Sequence, residues 1–407
     1  MTWIASTRTE EDRRVAEEGN SGATVFLAHD PLAYERYYNV VANPTLWFIQ
    51  HSLWDRALRP ELGPAFHEAW DEGYVSVNRT FADAVIAQLD EHPEATVFFH
   101  DYHLYLAPRM VREARPDATL AHFVHVPWPT DWSILPEAMR RAVHEGLLAA
   151  DVVGFHTERW ARNFERSCSD LCGGCGETVV THHAISIDVE EFERLRTDDD
   201  VLAEEAKLER AEKLVIRVDR TDPSKNIVRG CRAFGLLLDQ HAEWRGRAKL
   251  LALLDPSRQS IAEYVEYVEA IETAVREVNE RHPGAIQLRV ADNFPQSVAA
   301  YKQFDVLLVN AVYDGMNLVA KEGPLVNDRD GVLVLSENAG AHEELGDWCV
   351  TVNPFDVQGQ ADALHEALTM DAAERRRRAA AIKEHVRAND VSQWIAAQLA
   401  DVDRVSA

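Results

Sequence analysis

Short apolar runs of strand length alternate with longer amphipathic runs along most of this chain. That alternation confines the fold to parallel sheets whose strands are joined by helices. ATVFFHDYH (95–103) reads as a buried strand with a polar end, and LYLAPRMVREARPD after it as a helix. The strand LAHFVHVPWP, the helix LPEAMRRAVHEGLLAA, the strand DVVGFH and the helix TERWARNFERS repeat the pattern. It restarts beyond a charged, helical stretch at 196–213, with KLVIRVDR, AKLLALLDP, AIQLRVA, DVLLVNA and GVLVLS as strands. The fold class is therefore α/β, with two parallel-sheet domains and a boundary near residues 190–212. We expect a first domain over 1–195, a second over 196–388 and a terminal amphipathic helix over 389–407. In open sheets of this kind ligands bind beyond the carboxyl ends of the strands, and nearly every chemical motif here falls there.

A length of 407 residues suits two or three domains, and 46% apolar with 27% charged residues suits a globular protein. The net charge of −26 repels phosphate at long range, which argues against nucleic acid or an anionic membrane as partner. A few cations in a cleft still suffice for a phosphorylated small molecule. Runs such as LLALL and GVLVL are too short to span a bilayer, and the first residues carry no apolar core of a secretory signal. Five cysteines, three of them in one stretch, do not form a disulfide framework, so a cytoplasmic, reducing location is expected.

Four constellations carry chemistry. His100, Asp101 and His103 follow one apolar strand, and His125 ends the next. Each alone is as readily a cap or a core residue; in register at neighbouring strand ends they favour one crevice. In RVDRTDPSKN, Arg220 and Lys225 flank a turn after a strand, two cations suited to a diphosphate leaving group. A solvated loop is the plain alternative, and Arg258 in DPSR, after the following strand, weakens it. In YDGMNLVAKE, Asp314 and Gly315 make a turn into a helix whose first N–H groups form an anion site. Glu322, two helical turns beyond Asp314, is placed to reach vicinal hydroxyls of a ribose or hexose.

With HDYHL, HVPWP, DRTDPSKN, DGMNLVAKE, VLVLSENAGAHEEL and VNPFD in this order, the chain resembles the trehalose-6-phosphate synthases. TWIAS, YERYYNVVANPTLW and EAWDEGYVSVNRTFAD extend the resemblance towards the start. It implies a GT-B architecture, two Rossmann-like domains facing across a cleft, with the last helix crossing back to the first. It implies a retaining glycosyltransferase that uses no metal and no cofactor, only a nucleotide-sugar co-substrate, UDP-glucose or GDP-glucose, and a sugar phosphate acceptor, glucose 6-phosphate. Carried over position by position, Arg220 and Lys225 would hold the donor diphosphate. Asp314, Gly315, Met316 and Asn317 would contact the transferred sugar, with the backbone of Asn317, Leu318 and Val319 at the phosphate. Glu322 would bind the ribose. His125 would touch the donor sugar, Asp101 would sit at the reaction centre, and Trp70 with Arg258 would hold the acceptor. Asn293, in the segment DNFPQS, should flank the base. No carboxylate pair of the glycosidase type stands out, as expected if the departing phosphate oxygen itself takes the acceptor proton.

Departures from the family pattern set the alternatives. Members begin with a strand and a glycine-containing loop, whereas this chain begins at TWIAS. We expect the first domain to lack that strand and loop, with the natural start lying upstream. If the loop is truly missing, the alternative is a catalytically inactive sugar-phosphate-binding homologue. The segment TLWFIQHSLWD lacks a tyrosine near Ser52, and DPSKN also resembles the pseudo-glycosyltransferase that makes validoxylamine 7′-phosphate by coupling cyclitols. CSDLCGGC places Cys168, Cys172 and Cys175 at a spacing used for iron–sulfur clusters, and His182 and His183 lie close enough in sequence to complete a zinc site. Their loop lies far from the other motifs, so we expect no metal there. Stoichiometry is not legible, and a homo-oligomer is compatible with the sequence.

Overall fold

The computed structural model describes residues 1–19 and 23–406. They divide into a first unit of Met1–His183 with Gln398–Ala407, and a second of Ala184–Ala397.

In the first unit, strands β1 (Trp3–Ser6) and β2 (Thr24–Leu27) form a parallel pair of their own. β3 (Val97–His100), β4 (Leu120–Val124), β5 (Val152–Phe155) and β6 (Val179–His182) form a parallel sheet in chain order. Helices Ala107–Ala114, Glu137–Leu147 and Glu158–Cys172 follow β3, β4 and β5. β4 is buried along its whole length, which is why it reads as an unbroken apolar run. The front of the unit holds two stretches of π-helix, Arg36–Leu46 and Ala69–Val75, that the sequence pattern did not announce. Asn43 Nδ2 and Thr45 Oγ1 donate to the carbonyls of Tyr38 and Val40, both at 2.9 Å and both five residues back. These side chains satisfy carbonyls around Pro44, which has no N–H to give.

In the second unit β7 (Lys213–Arg220), β8 (Ala248–Asp255), β9 (Ile286–Val290), β10 (Val306–Val309), β11 (Val332–Ser336) and β12 (Val350–Val352) form one parallel sheet. Its order is β12-β11-β10-β7-β8-β9. Strand order reverses between β7 and β10, the switch point at which doubly wound sheets hold ligands. Residues alternate between two cores: Val215, Val306 and Val334 pack with Phe234 and Leu364 on one face. Leu214, Ile216, Leu307 and Leu333 pack with Tyr301 and Ile382 on the other. Covering both faces is what forces the strands to be apolar throughout.

The second unit begins earlier than the expected residue 196, because Ile187 and Phe192 already pack with Leu214 and Ile216. The stretch at 196–213 is helical only over Asp199–Glu205. The last helix, Val391–Ser406, has residues 398–406 in the first unit, where Val402 packs on Ala121 and Val152. Asp401 meets His183 Nε2 at 2.5 Å. Among the described residues no helix is long and apolar enough to cross a membrane.

Candidate active site

The carboxyl end of β7 carries Asp219 and Arg220, and the chain then turns sharply through a 3-10 turn, Pro223–Lys225. Asp222 starts that turn by accepting the N–H of Ser224 at 2.9 Å. Beyond β10 the Asp314–Gly315 turn leads into helix Val319–Val326. Asn317 is left-handed (φ +79°) at the turn into the helix, whose first N–H groups receive no partner from helical geometry. Between the two strand ends lies a pocket of about 260 Å³ lined by Arg220, Lys225, Asn317, Leu318, Val319 and Glu322. Six of the donor residues named from the sequence thus line one pocket; Asp314 reaches it through its ion pair with Lys225, and Gly315, Met316 and Asn293 are not in the lining. Phe294 and Ser297, from the DNFPQS segment, line it too, together with Val218, Asp219, Asp255 and Tyr301, which the sequence did not single out.

Within this site Lys225 Nζ pairs with Asp314 Oδ2 at 2.5 Å, and Asn317 Nδ2 donates to the same oxygen at 3.0 Å. One carboxylate therefore orients a cation and an amide from two strand ends. Asp255 is held above its ordinary range by burial and by the charge of Asp292, with Arg220 pulling the other way. Glu322 is pushed up to about 6 by burial, against the hydrogen bond it accepts from Tyr301 Oη at 3.0 Å.

The Asp314 turn is clamped by the loop after β11. Asp314 pairs with Ala339 as a parallel bridge, Gly340 N donates to Asp314 O at 3.0 Å, and Ala341 N donates to Met316 O at 2.8 Å. A Cβ at Gly340 would run into the Gly315 carbonyl, a backbone atom with nowhere to go. Gly340→Ala is therefore expected to lower stability by about 1–3 kcal/mol, the usual cost of overpacking, and to weaken nucleotide binding. Thermal unfolding and calorimetric titration with UDP or GDP check it; unchanged values in both would contradict the clamp.

Arg258, Asn293 and Trp70, all named from the sequence, lie outside this pocket lining. Arg258 (φ +46°) sits after β8, and its Nη1 is engaged with Asp222 Oδ2 at 3.3 Å and with the Tyr264 hydroxyl, outside the pocket lining. Asn293 caps helix Phe294–Gln303, accepting Gln296 N at 3.0 Å. Trp70 is buried in the second π-helical stretch and stacks on Tyr74 with centroids 5.1 Å apart.

In the first unit, Asp101 follows β3 with φ +66°, a strained conformation for a residue with a side chain. Its Oδ1 accepts the N–H of His125 at 3.3 Å, and its carbonyl accepts from His122 Nε2 at 3.1 Å. His100 Nδ1 and His125 Nε2 are 3.1 Å apart, so only one of them carries the shared proton. Burial, and His100 beside it, lower His125 to about 3. It is a neutral hydrogen-bonding group at pH 7, not a cation.

In the cysteine loop the thiols of Cys168 and Cys175 lie within hydrogen-bonding reach of one another, which raises Cys168 and lowers Cys175. Helix Glu158–Cys172 ends at Gly173 (φ +82°), and Gly174 N bonds back to Cys168 O at 3.2 Å. His183 is committed to Asp401. Among the described residues one His/Glu group, His241, Glu243 and His365, is close enough to share an ion. Its imidazoles stack at 3.6 Å with 9° between planes, so no point lies in both ring planes at bonding distance. Trp244 Nε1 also donates to His365 Nδ1 at 3.2 Å, leaving the proton on Nε2 where a ligand lone pair would be needed.

Two Rossmann-like parallel-sheet units, with cations and a helix N-terminus at the switch point of the second, define the GT-B class of glycosyltransferases. The chain belongs to glycosyltransferase family 20, whose sequence model matches residues 1–404. It is 32% identical to the validamine 7-phosphate valienyltransferase of Streptomyces hygroscopicus subsp. jinggangensis, over 98% of this chain and 85% of that protein. It is 33% identical to the trehalose-6-phosphate synthase of Mycolicibacterium smegmatis, over 97% of this chain and 82% of that one. Among solved structures it is similar to a UDP-forming α,α-trehalose-phosphate synthase from Burkholderia xenovorans in complex with glucose-6-phosphate. That match has a TM-score of 0.82 and 26% identity, and covers 99% of this chain and all of that one.

Proposed function

We propose that the protein is a retaining glycosyltransferase that moves glucose from a nucleotide diphosphate glucose to glucose 6-phosphate, giving trehalose 6-phosphate. The observation that carries this is the convergence of Arg220, Lys225, Asn317, Leu318, Val319 and Glu322 on one pocket at the switch point. Glu322 is assigned to the ribose hydroxyls, the two cations and the helix start to the diphosphate, and Asp314 with Asn317 to the sugar. As the glycosidic bond to phosphate lengthens, negative charge grows on the leaving oxygen, and donors fixed in place stabilise it more than the ground state. That oxygen then takes the acceptor proton on the face from which the acceptor attacks, so no protein nucleophile is required. Asp101 and neutral His125 of the first unit are assigned to the reacting sugar, and Trp70 of the first unit and Arg258 of the second, by resemblance alone, to the acceptor.

The valienyltransferase relative and the DPSKN turn favour a second reading, in which the same donor pocket serves a nucleotide-activated cyclitol and the acceptor is validamine 7-phosphate. Incubation with UDP-glucose or GDP-glucose and glucose 6-phosphate separates the two. The first reading expects release of the nucleoside diphosphate and an α,α-linked disaccharide phosphate by NMR. Turnover only with the cyclitol pair would replace it by the second, and nucleotide binding with turnover of neither pair would point to an inactive sugar-phosphate-binding homologue.

A further inference from the structure

β7 carries a second arginine that the assignments above leave unused. Arg217 lies in mid-strand, between apolar residues, and is fully buried at 0% exposure. Its Nε and Nη2 donate to Asp219 Oδ2 at 2.9 and 2.7 Å. Nη2 also donates to the Lys225 carbonyl at 2.8 Å, and Nη1 reaches the Ile227 carbonyl at 3.4 Å. Space for the guanidinium exists because residue 230 is glycine; a Cβ there would strike Nη1. The carbonyl between those two, that of Asn226, accepts from Asn310 Nδ2 at 3.1 Å. Asn226 itself is left-handed (φ +57°), with its Nδ2 donating to the carbonyls of Asn310 at 2.9 Å and Pro354 at 2.7 Å. Three consecutive carbonyls, from Lys225 to Ile227, are thus held from beneath. A buried guanidinium is costly to desolvate, and this one has a carboxylate and two carbonyls matched to its fork.

We infer that Arg217 is a positioning residue for the donor diphosphate: it clamps the backbone of the turn so that the Lys225 ammonium is presented to the phosphates, with Asp219 fixing the guanidinium. The inference rests on the proposed donor site. A flexible four-carbon lysine stem loses entropy on binding, and fixing its backbone root in advance reduces that loss. Arg217 touches no ligand itself, so its effect must pass through Lys225.

Calorimetric titration of the full chain with UDP and with GDP, using whichever binds, tests this. Arg217→Met is expected to weaken binding about tenfold, and Arg217→Lys, which keeps the charge but not the fork, by less. In a Lys225→Ala background Arg217→Met should cause little further loss, because the two act as a unit. Equal losses in both backgrounds, or an Arg217→Met variant within about twofold of the parent, would overturn the inference. Should Arg217→Met fail to fold, Gly230→Ala keeps every charge and displaces the guanidinium. It is expected to weaken binding in the same direction, and unchanged affinity in that folded variant would also overturn it. If Lys225→Ala binds like the parent, the donor-site assignment itself fails and takes this inference with it. If Lys225→Ala is weakened and only the coupling is absent, Arg217 alone is misassigned.

Discussion

Lys225→Ala is expected to lower kcat about 10²–10³-fold, the scale of removing one donor that stabilises a developing oxyanion. Arg220→Ala should fall in the same range. Steady-state release of the nucleoside diphosphate measures both, and a rate within a few-fold of the parent for either would refute its place at the diphosphate. The lysine change carries a second consequence. Lys225 and Asp314 expose only 13% and 12% of their side chains, so truncating the lysine strands a largely buried carboxylate. The melting temperature should therefore fall together with the rate. Adding Asp314→Asn removes the stranded charge and should recover much of the stability, yet not the rate. A double variant that regained the rate would mean that Lys225 acts through folding and not on the leaving group.

The order of elements and the place of the donor site were legible because both follow from simple constraints. A strand buried on both faces has to be an apolar run, and LVIRV, KLLALL and VLLV leave no alternative period. A doubly wound sheet then places whatever follows such runs at one edge, so Arg220, Lys225, Asp314 and Glu322 could be grouped before any coordinates. The strands not read from the sequence, WIAS, TVFL, VVTH and VTV, are only three or four residues long, too short to show a period. The first π-helical stretch was hidden for another reason: the side chains of Asn43 and Thr45 answer carbonyls five residues back, a spacing outside the α-helical period. Which cation pairs with which carboxylate was equally invisible. Lys225 and Asp314 lie 89 residues apart and meet only because β7 and β10 are neighbours in space. For Arg217 and Asp219 a signal did exist, two charges at alternate positions in an otherwise apolar strand. Such charges are tolerated in a buried strand only when they satisfy each other and something else. For Arg258, Asn293 and Trp70 the position in the chain was readable, whereas their partners in the folded chain, Asp222, the Gln296 N–H and Tyr74, depend on rotamers that a sequence pattern does not encode.

Glu322 links stability to donor binding in opposite senses. Burial raises its carboxyl from the ordinary 4.5 to about 6, so the folded chain holds that proton more tightly than the unfolded one. Between those values the native state binds more protons, and stability therefore falls as the pH rises through the window. A shift of this size corresponds to about 2 kcal/mol, present in full below 4.5 and lost above about 6. Ribose hydroxyls, in contrast, are better accepted by the ionised carboxylate, so affinity for the nucleoside diphosphate should decline as the pH is lowered through about 6. Glu322→Gln removes the ionisation at nearly constant shape. At pH 8 it is expected to be more stable than the parent by up to about 2 kcal/mol, and to bind UDP or GDP at least tenfold more weakly. The stability difference should shrink towards zero as the pH falls well below 4.5, where the carboxyl is protonated in both the folded and the unfolded chain. Denaturant titrations of the two proteins at matched pH values give that difference directly, with every other ionisable group cancelling. A difference independent of pH would mean that the carboxylate is solvated in the unliganded protein. A pH-dependent difference with unchanged nucleotide affinity would leave Glu322 buried but remove it from the ribose.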